Sequence, residues 1–192
     1  MNAPFPQWDT DLFLFLNGLH ADWLDPIMKF ISGNFTFIPV YAVALFFFYK
    51  REGKAKLLFA LLGVALCILL ADRISSGLLK SLFERYRPSR EPALEGLVHL
   101  VDGYRGGRFG FVSSHAANHF SFAVFSLLLV RRKVYTWFIL LLALIISYSR
   151  IYLGVHYPLD IICGGLLGAG IGWTVCILYK KSLAWWEKRS TV

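Results

Sequence analysis

Five apolar runs dominate the chain and restrict it to one kind of fold. A helix needs ~20 apolar residues to cross a bilayer, with a range of about 17–25. The runs at 35–49, 57–82, 114–130, 134–148 and 159–179 approach or meet that length. The first is slightly short, and the second is interrupted by Asp72, Arg73 and Lys80. They read as spanning helices of an all-α integral membrane protein, a bundle of five to six transmembrane helices. Hydrophobic residues make up 57% of the 192 and charged ones 17%, against roughly 25% charged in a globular chain. That excludes disorder, collagen-like repeats and an ordinary soluble domain. The length, at ~100–200 residues per domain, fits one membrane-embedded domain over 1–192.

The first 33 residues hold two shorter apolar runs, 12–19 and 23–31, broken by Asn17-Gly18 and by Asp22 and Asp25-Pro26. Each is too short to span alone. They are expected to form interfacial or half-inserted helices, or together one broken span. Residues 1–10 lack a basic stretch leading into an apolar core and a small-residue cleavage site, so no removable signal peptide is read. Cys67, Cys163 and Cys176 all lie in apolar runs without metal-ligand spacing, and read as small hydrophobes.

The net charge of +8 suggests nucleic acid until the positions are read. Alternating the spans puts Lys50, Arg51, Lys54, Lys56, Arg131, Arg132, Lys133, Lys180, Lys181, Lys188 and Arg189 on one side, with only Glu52 and Glu187 as acids. Short basic loops stay in the cytoplasm. The 83–113 and 150–157 loops then face outward, toward a periplasm or exterior. The partners implied are a bilayer and not a nucleic acid.

An ionisable residue inside a span costs ~2.5–3.5 kcal/mol on insertion scales and is a functional hypothesis by default. Here such residues gather at one level. Lys80 and Arg87 lie at the outer end of the second span, His115 opens the third, Arg150 closes the fourth, and His156 and Asp160 open the fifth. Three cations can surround an oxyanion, and Arg offers a planar fork suited to phosphate. Lys80 and Arg87, seven apart, share a face if the helix continues that far, although Pro88 biases Arg87 away from helix. Ser113 precedes an apolar helix as an N-cap, and the amides that follow form a ready anion site. Pro158 marks the start of the fifth helix, from which Asp160 can reach back to His156. That fixes the tautomer and improves the other ring nitrogen as nucleophile or base. Singly, each residue has a bland reading: snorkelling for Lys80 and Arg87, simple capping for Ser113, interfacial packing for a histidine. As a set at one depth they read as a pocket.

Lys80-x6-Arg87-Pro88, Ser113-x-His115 and Ser149-Arg150-x5-His156-x3-Asp160 closely resemble the three motifs of the type-2 phosphatidic acid phosphatase superfamily. Its members include membrane lipid phosphatases, soluble acid phosphatases and vanadium haloperoxidases. The second motif departs from the family's Pro-Ser-Gly-His. Val112 stands for Pro, and Ser114 adds a side chain where Gly gives phosphate the closest approach.

The resemblance implies that His156 attacks phosphorus to form a phosphohistidine and that Asp160 orients it. His115 protonates the leaving oxygen and then activates water. Lys80, Arg87, Ser113, Ser114 and Arg150 bind phosphate, the amides of Ser114 and His115 adding to them. No metal and no cofactor are implied. The expected reaction is hydrolysis of a lipid phosphate or diphosphate at the outer face of the cytoplasmic membrane. Undecaprenyl diphosphate is favoured; phosphatidylglycerophosphate, phosphatidic acid and lipid A phosphate follow. A lipid phosphotransferase would use the same site, and the non-enzyme alternative is a lipid or ion transporter.

Other signals are weaker. His115 and His119 have i, i+4 spacing, but Ala116 stands where a zinc helix carries Glu. His119 is expected to line or pack, Asp72 and Arg73 to be structural, and Glu84 and Arg85 to tune the site. His99 and Asp102 are expected to be solvated. The Gly-rich segment 105–111 reads as a flexible lid over headgroup phosphate. Gly164, Gly165, Gly168, Gly170 and Gly172 permit close helix packing, within the chain first and in a homodimer as the alternative, and a monomer suffices.

Overall fold

In the computed structural model, which describes residues 5–33 and 36–190, all five apolar runs are helical. The α-helices are α1 (Gln7–Gly18), α2 (Asp25–Ile31), α3 (Ile38–Asp72), α4 (Lys80–Phe83), α5 (Ser114–Val130), α6 (Lys133–Tyr152) and α7 (Pro158–Ser190). Phe35, where the sequence starts the first span, lies outside the described residues, as do residues 1–4 of the stretch read for a leader.

Gly53 decides how the first two runs are arranged. It has φ 85° inside α3, in the left-handed region that only glycine enters at little cost. The chain reverses there. Tyr41 on one arm bonds His119, and Ser76 on the other bonds Ser114, so both arms reach the first turns of α5. Ala44 and Val64, ~30 Å apart along a straight helix, border the same small cavity. The 46-residue apolar stretch Ile38–Phe83 is thus a helical hairpin. Together with α6 and the Pro158–Arg189 part of α7 it provides helices long and apolar enough to cross a membrane, and α5 is a shorter apolar helix.

Packing is that of a membrane bundle. Small side chains let the helices approach closely, with Ala60, Ala71, Ala116, Ala117 and Ala123 fully buried beside Phe13, Phe125 and Tyr152. Many large apolar ones point outward, such as Val134 at 84% and Leu166 at 70% exposure. Lipid offers no hydrophobic drive between helices, so close backbone approach takes its place. α5 packs against α3, α6 and α7. A Cβ at Gly164 would fall 2.6 Å from the Ser113 carbonyl, and one at Gly168 or Gly172 would strike the carbonyls of Ala117 or Ser121. Each helix steps by four residues along this seam, which brings the start of α7 against the start of α5. The glycine stripe is thus used within the chain.

Two departures from the sequence reading shape the site. Residues Arg73–Leu79 form a π-helical segment, with the Lys80 amide donating to the Ser75 carbonyl. π-turns inside helices recur at functional sites; this one aims Ser75, Ser76 and Lys80 together at Ser114. The helix then ends at Phe83 instead of continuing to Arg87, because Glu84 takes a left-handed conformation (φ 44°) and its amide closes on the Lys80 carbonyl. Arg87 is extended (φ −71°, ψ 152°), as a residue before proline must be. Lys80 and Arg87 therefore share no helix face.

α1 and α2, ~18 and ~10 Å long, are each too short to cross a bilayer. Both pack on α6, and α1 also on α7. The Asn17 amide donates to the carbonyls of His99, Ile151 and Tyr152. His99 is not simply solvated. It stacks on His20 at 3.8 Å and pairs with Asp25 at 3.0 Å, which ties the 83–113 loop to α2. Asp102 is exposed, as expected, but pairs with Lys29.

Candidate active site

The motif residues meet at one end of the bundle. The end of the hairpin brings Lys80, the start of α5 brings Ser113, Ser114 and His115, the last turn of α6 brings Arg150, and the start of α7 brings Asp160, with His156 just before it. The Ser113 amide donates to the Asp160 carbonyl at 3.0 Å, locking the two helix starts together.

His156 and Asp160 are buried, at 1% and 0% exposure. His156 Nδ1 lies 3.2 Å from Asp160 Oδ2, which also accepts from the Tyr157 amide at 3.1 Å. Asp160 Oδ1 accepts from Arg85 Nη1 at 2.8 Å. With the carboxylate ionised both oxygens accept, the His156 proton sits on Nδ1, and Nε2 keeps its lone pair. Burial first, then Arg87, Arg150, Lys80 and Arg85, hold His156 well below the usual histidine value of 6.5. Arg87 and His156 both border Gly110, where an added Cβ would lie 3.3 Å from Arg87 Cγ and 3.6 Å from His156 Nδ1.

Each cation is held differently. Lys80 Nζ donates to Ser114 Oγ at 2.7 Å, where Ser75 and Ser76 also converge. Arg87 Nε donates to the Phe109 carbonyl at 3.1 Å; burial, then Arg150, lowers its proton affinity. Arg150 is bonded to the Ser32 hydroxyl and reaches Tyr104 Oη at 3.5 Å. Ser113 is the N-cap of α5: its hydroxyl accepts from the Ala116 amide at 3.4 Å. Among the described residues no acceptor meets the Ser114 and His115 amides, which open α5. His115 Nε2 and Arg150 Nε are also buried without a partner among the described residues. Buried polar groups are rarely left so. Several cations, two free amides and two orphan nitrogens are donors that could hold a multiply charged oxyanion.

An N-terminal residue that the sequence reading passed over joins this network. Asp9 of α1 is fully buried; its Oδ2 accepts from Arg85 Nη2 at 2.6 Å and its Oδ1 from the Leu159 amide at 2.8 Å. Burial pushes its carboxyl above the usual range against those two hydrogen bonds. The Arg85 guanidinium is stacked 4.0 Å from Phe5 and 3.8 Å from Tyr157. The segment 105–111 is a wrap and not a lid. The Gly110 amide donates to the Arg85 carbonyl at 2.8 Å, the Arg87 amide to the Arg108 carbonyl at 3.2 Å, and Ser89 to the Arg105 carbonyl at 2.7 Å. A Cβ at Gly110 would lie 2.9 Å from Asp160 Oδ2, so glycine lets the backbone pass beside the carboxylate.

His119 packs, bonded to Tyr41. Asp72 accepts from Ser76 at 3.3 Å. Among the described residues no group of three His, Cys, Asp or Glu could hold a metal ion. An apolar cavity of about 660 Å³, lined by Val43, Phe47, Phe138 and Ile139, contains none of the motif residues.

A profile of the PAP2 superfamily matches residues 56–184, two thirds of the chain. The chain belongs to the PAP2 superfamily. Lipid A 4′-phosphatase of Bacteroides thetaiotaomicron is 39% identical over 177 residues, 92% of this chain and 79% of that one. Undecaprenyl-diphosphatase of Sulfolobus acidocaldarius is 31% identical over 85% of this chain and 75% of its own length. The crystal structure of Aquifex aeolicus LpxE superposes with a TM-score of 0.70 at 26% identity, over 91% of this chain and 98% of that one. The chain is an integral membrane PAP2 hydrolase of phosphoric monoesters or diphosphates, acting on lipid phosphate.

Proposed function

We propose that this PAP2 protein removes the phosphate monoester from a lipid A-type glycolipid through a phosphohistidine on His156. The observation that carries the mechanism is the His156–Asp160 pair. It leaves Nε2 as the free lone pair at the end of the bundle where Lys80, Arg87 and Arg150 also lie. In the first step Nε2 attacks phosphorus, the bond from phosphorus to the sugar oxygen breaks, and His115 gives that oxygen a proton. In the second step water attacks phosphorus and returns a proton to His115. The phosphorus–nitrogen bond breaks and inorganic phosphate leaves. Lys80, Arg87, Arg150 and the Ser114 and His115 amides offset charge on the equatorial oxygens in both steps.

The substrate rests on relatedness. The sequence alone ranks undecaprenyl diphosphate first. The 39% identity to a lipid A 4′-phosphatase, against 31% to an undecaprenyl-diphosphatase, moves the proposal to lipid A. The basic loops that end the other side of the bundle support a site facing the periplasm or exterior.

Phosphate release in detergent from lipid A, undecaprenyl diphosphate, phosphatidylglycerophosphate and phosphatidic acid tests this reading. It expects lipid A to give the highest kcat/KM. A higher value for undecaprenyl diphosphate would return the substrate to the isoprenyl class. Phosphate appearing on a second lipid instead of in solution would make the protein a transferase.

A further inference from the structure

We infer that Asp9 of the N-terminal helix is a positioning residue for catalysis, acting through Arg85 to keep Asp160 effective toward His156. The inference rests on the proposed reaction and extends it to a residue outside the 56–184 stretch that the superfamily profile matches.

Asp160, Arg85 and Asp9 form an unbroken buried chain, carboxylate to guanidinium to carboxylate, with contacts of 2.8 and 2.6 Å. All three are shielded, Arg85 at 7% and both aspartates at 0% side-chain exposure. Arg85 alone would be an awkward neighbour. It fixes the orientation of Asp160, but its charge is opposed to the one Asp160 presents to His156. The site already holds Lys80, Arg87 and Arg150. Asp9 cancels the charge of Arg85 and leaves the three-residue chain at −1, so Asp160 is oriented while Arg85 no longer opposes the charge it presents to His156 Nδ1. At reduced dielectric that difference of one charge a few ångströms from the nucleophile matters far more than in water. Asp9 has a second hold on the same place. Its Oδ1 accepts from the Leu159 amide, which at the start of α7 has no partner within its own helix. One side chain of α1 therefore fixes both the backbone and the counter-charge beside Asp160.

A kinetic cycle of Asp9→Asn, Arg85→Gln and the double variant tests this, with lipid A as substrate in detergent. Asp9→Asn keeps an oxygen for the Leu159 amide and removes the charge facing Arg85. The inference expects kcat to fall at least tenfold with KM within about twofold, and thermal unfolding to stay near wild type. Asp9→Glu, which restores the charge, should recover part of kcat. In the double variant kcat should be no lower than in Arg85→Gln alone, because Asp9 has nothing left to act through. Wild-type kcat in Asp9→Asn would overturn the inference while leaving the phosphatase reading intact. So would multiplicative losses in the double variant, or losses that follow the unfolding temperature. A wild type inactive on every lipid would overturn both.

Discussion

Asp160 holds His156 by one oxygen and Arg85 by the other: Oδ2 is 3.2 Å from His156 Nδ1, and Oδ1 is 2.8 Å from Arg85 Nη1. The ring is therefore fixed in one tautomer from a carboxylate that cannot turn. Asp160→Asn preserves shape but can present an amide N–H to Nδ1, which favours the wrong tautomer. Losses for such changes to a histidine's supporting carboxylate are on the order of 10²–10⁴ in kcat. Steady-state phosphate release checks this, with KM expected to change much less.

The pH profile follows from the surroundings of His156. Burial and the Arg87, Arg150, Lys80 and Arg85 cations hold it well below 6.5. The neutral, nucleophilic ring thus persists to lower pH than in a free histidine, and the His156 limb of kcat/KM lies below pH 6.5. Arg87→Gln removes the strongest of the neighbouring charges and should move that limb upward, the substrate's own ionisation being common to both profiles. The same shift affects stability. Below pH 6.5 the unfolded chain takes up a proton that folded His156 refuses, so stability falls as pH drops.

Ser114 gives Lys80 an anchor at the position where the motif it resembles has Gly. Hydrogen bonds to charged groups are worth ~1.5–3 kcal/mol, and the Lys80–Ser114 distance is 2.7 Å. Ser114→Ala should lower kcat/KM on the order of tenfold by freeing Lys80, and Ser114→Gly by a similar factor. Circular dichroism should show both variants as helical as wild type.

The seam between α5 and α7 separates glycines that matter from one that does not. Gly164→Ala puts a methyl 2.6 Å from the Ser113 carbonyl, where only backbone can give way, and should reduce both thermal stability and activity. Gly170 has nothing within 4 Å of an added Cβ, so Gly170→Ala should leave activity unchanged. It should raise stability by up to ~1 kcal/mol through helix propensity. Thermal unfolding in detergent distinguishes the two.

Much of this was legible in the sequence because the signals are local. Apolar length marks the helices, and Pro158, with Asp160 four residues after His156, suffices to place that pair. The PAP2 motifs fix the remaining cations. What stayed hidden depends on the path of the backbone. The π-segment at Arg73–Leu79 has no periodic signature in an apolar run, although Ser75-Ser76-Gly77 is an unusual interruption there. A shared face for Lys80 and Arg87 requires the helix to continue that far, and nothing in Glu84 announces the left-handed residue that ends it. Asp9 is one acid in a short helix, and its contact with Arg85 spans 76 positions, a relationship that no spacing reveals. Gly110 lay in a stretch whose glycines suggested mobility, whereas they serve close packing around Arg87 and Asp160.

The central claim is a covalent bond between phosphorus and His156, and trapping it is the most direct test. Wild type, His115→Ala and His156→Ala would be mixed with lipid A carrying ³²P in its phosphate ester, in EDTA, and quenched in alkaline detergent, where a phosphorus–nitrogen bond survives. The account predicts label on the wild-type chain, at a peptide containing His156, none on His156→Ala, and phosphate release by wild type undiminished by EDTA. Label retained by His156→Ala would contradict it, as would wild type releasing phosphate while neither it nor His115→Ala carries label.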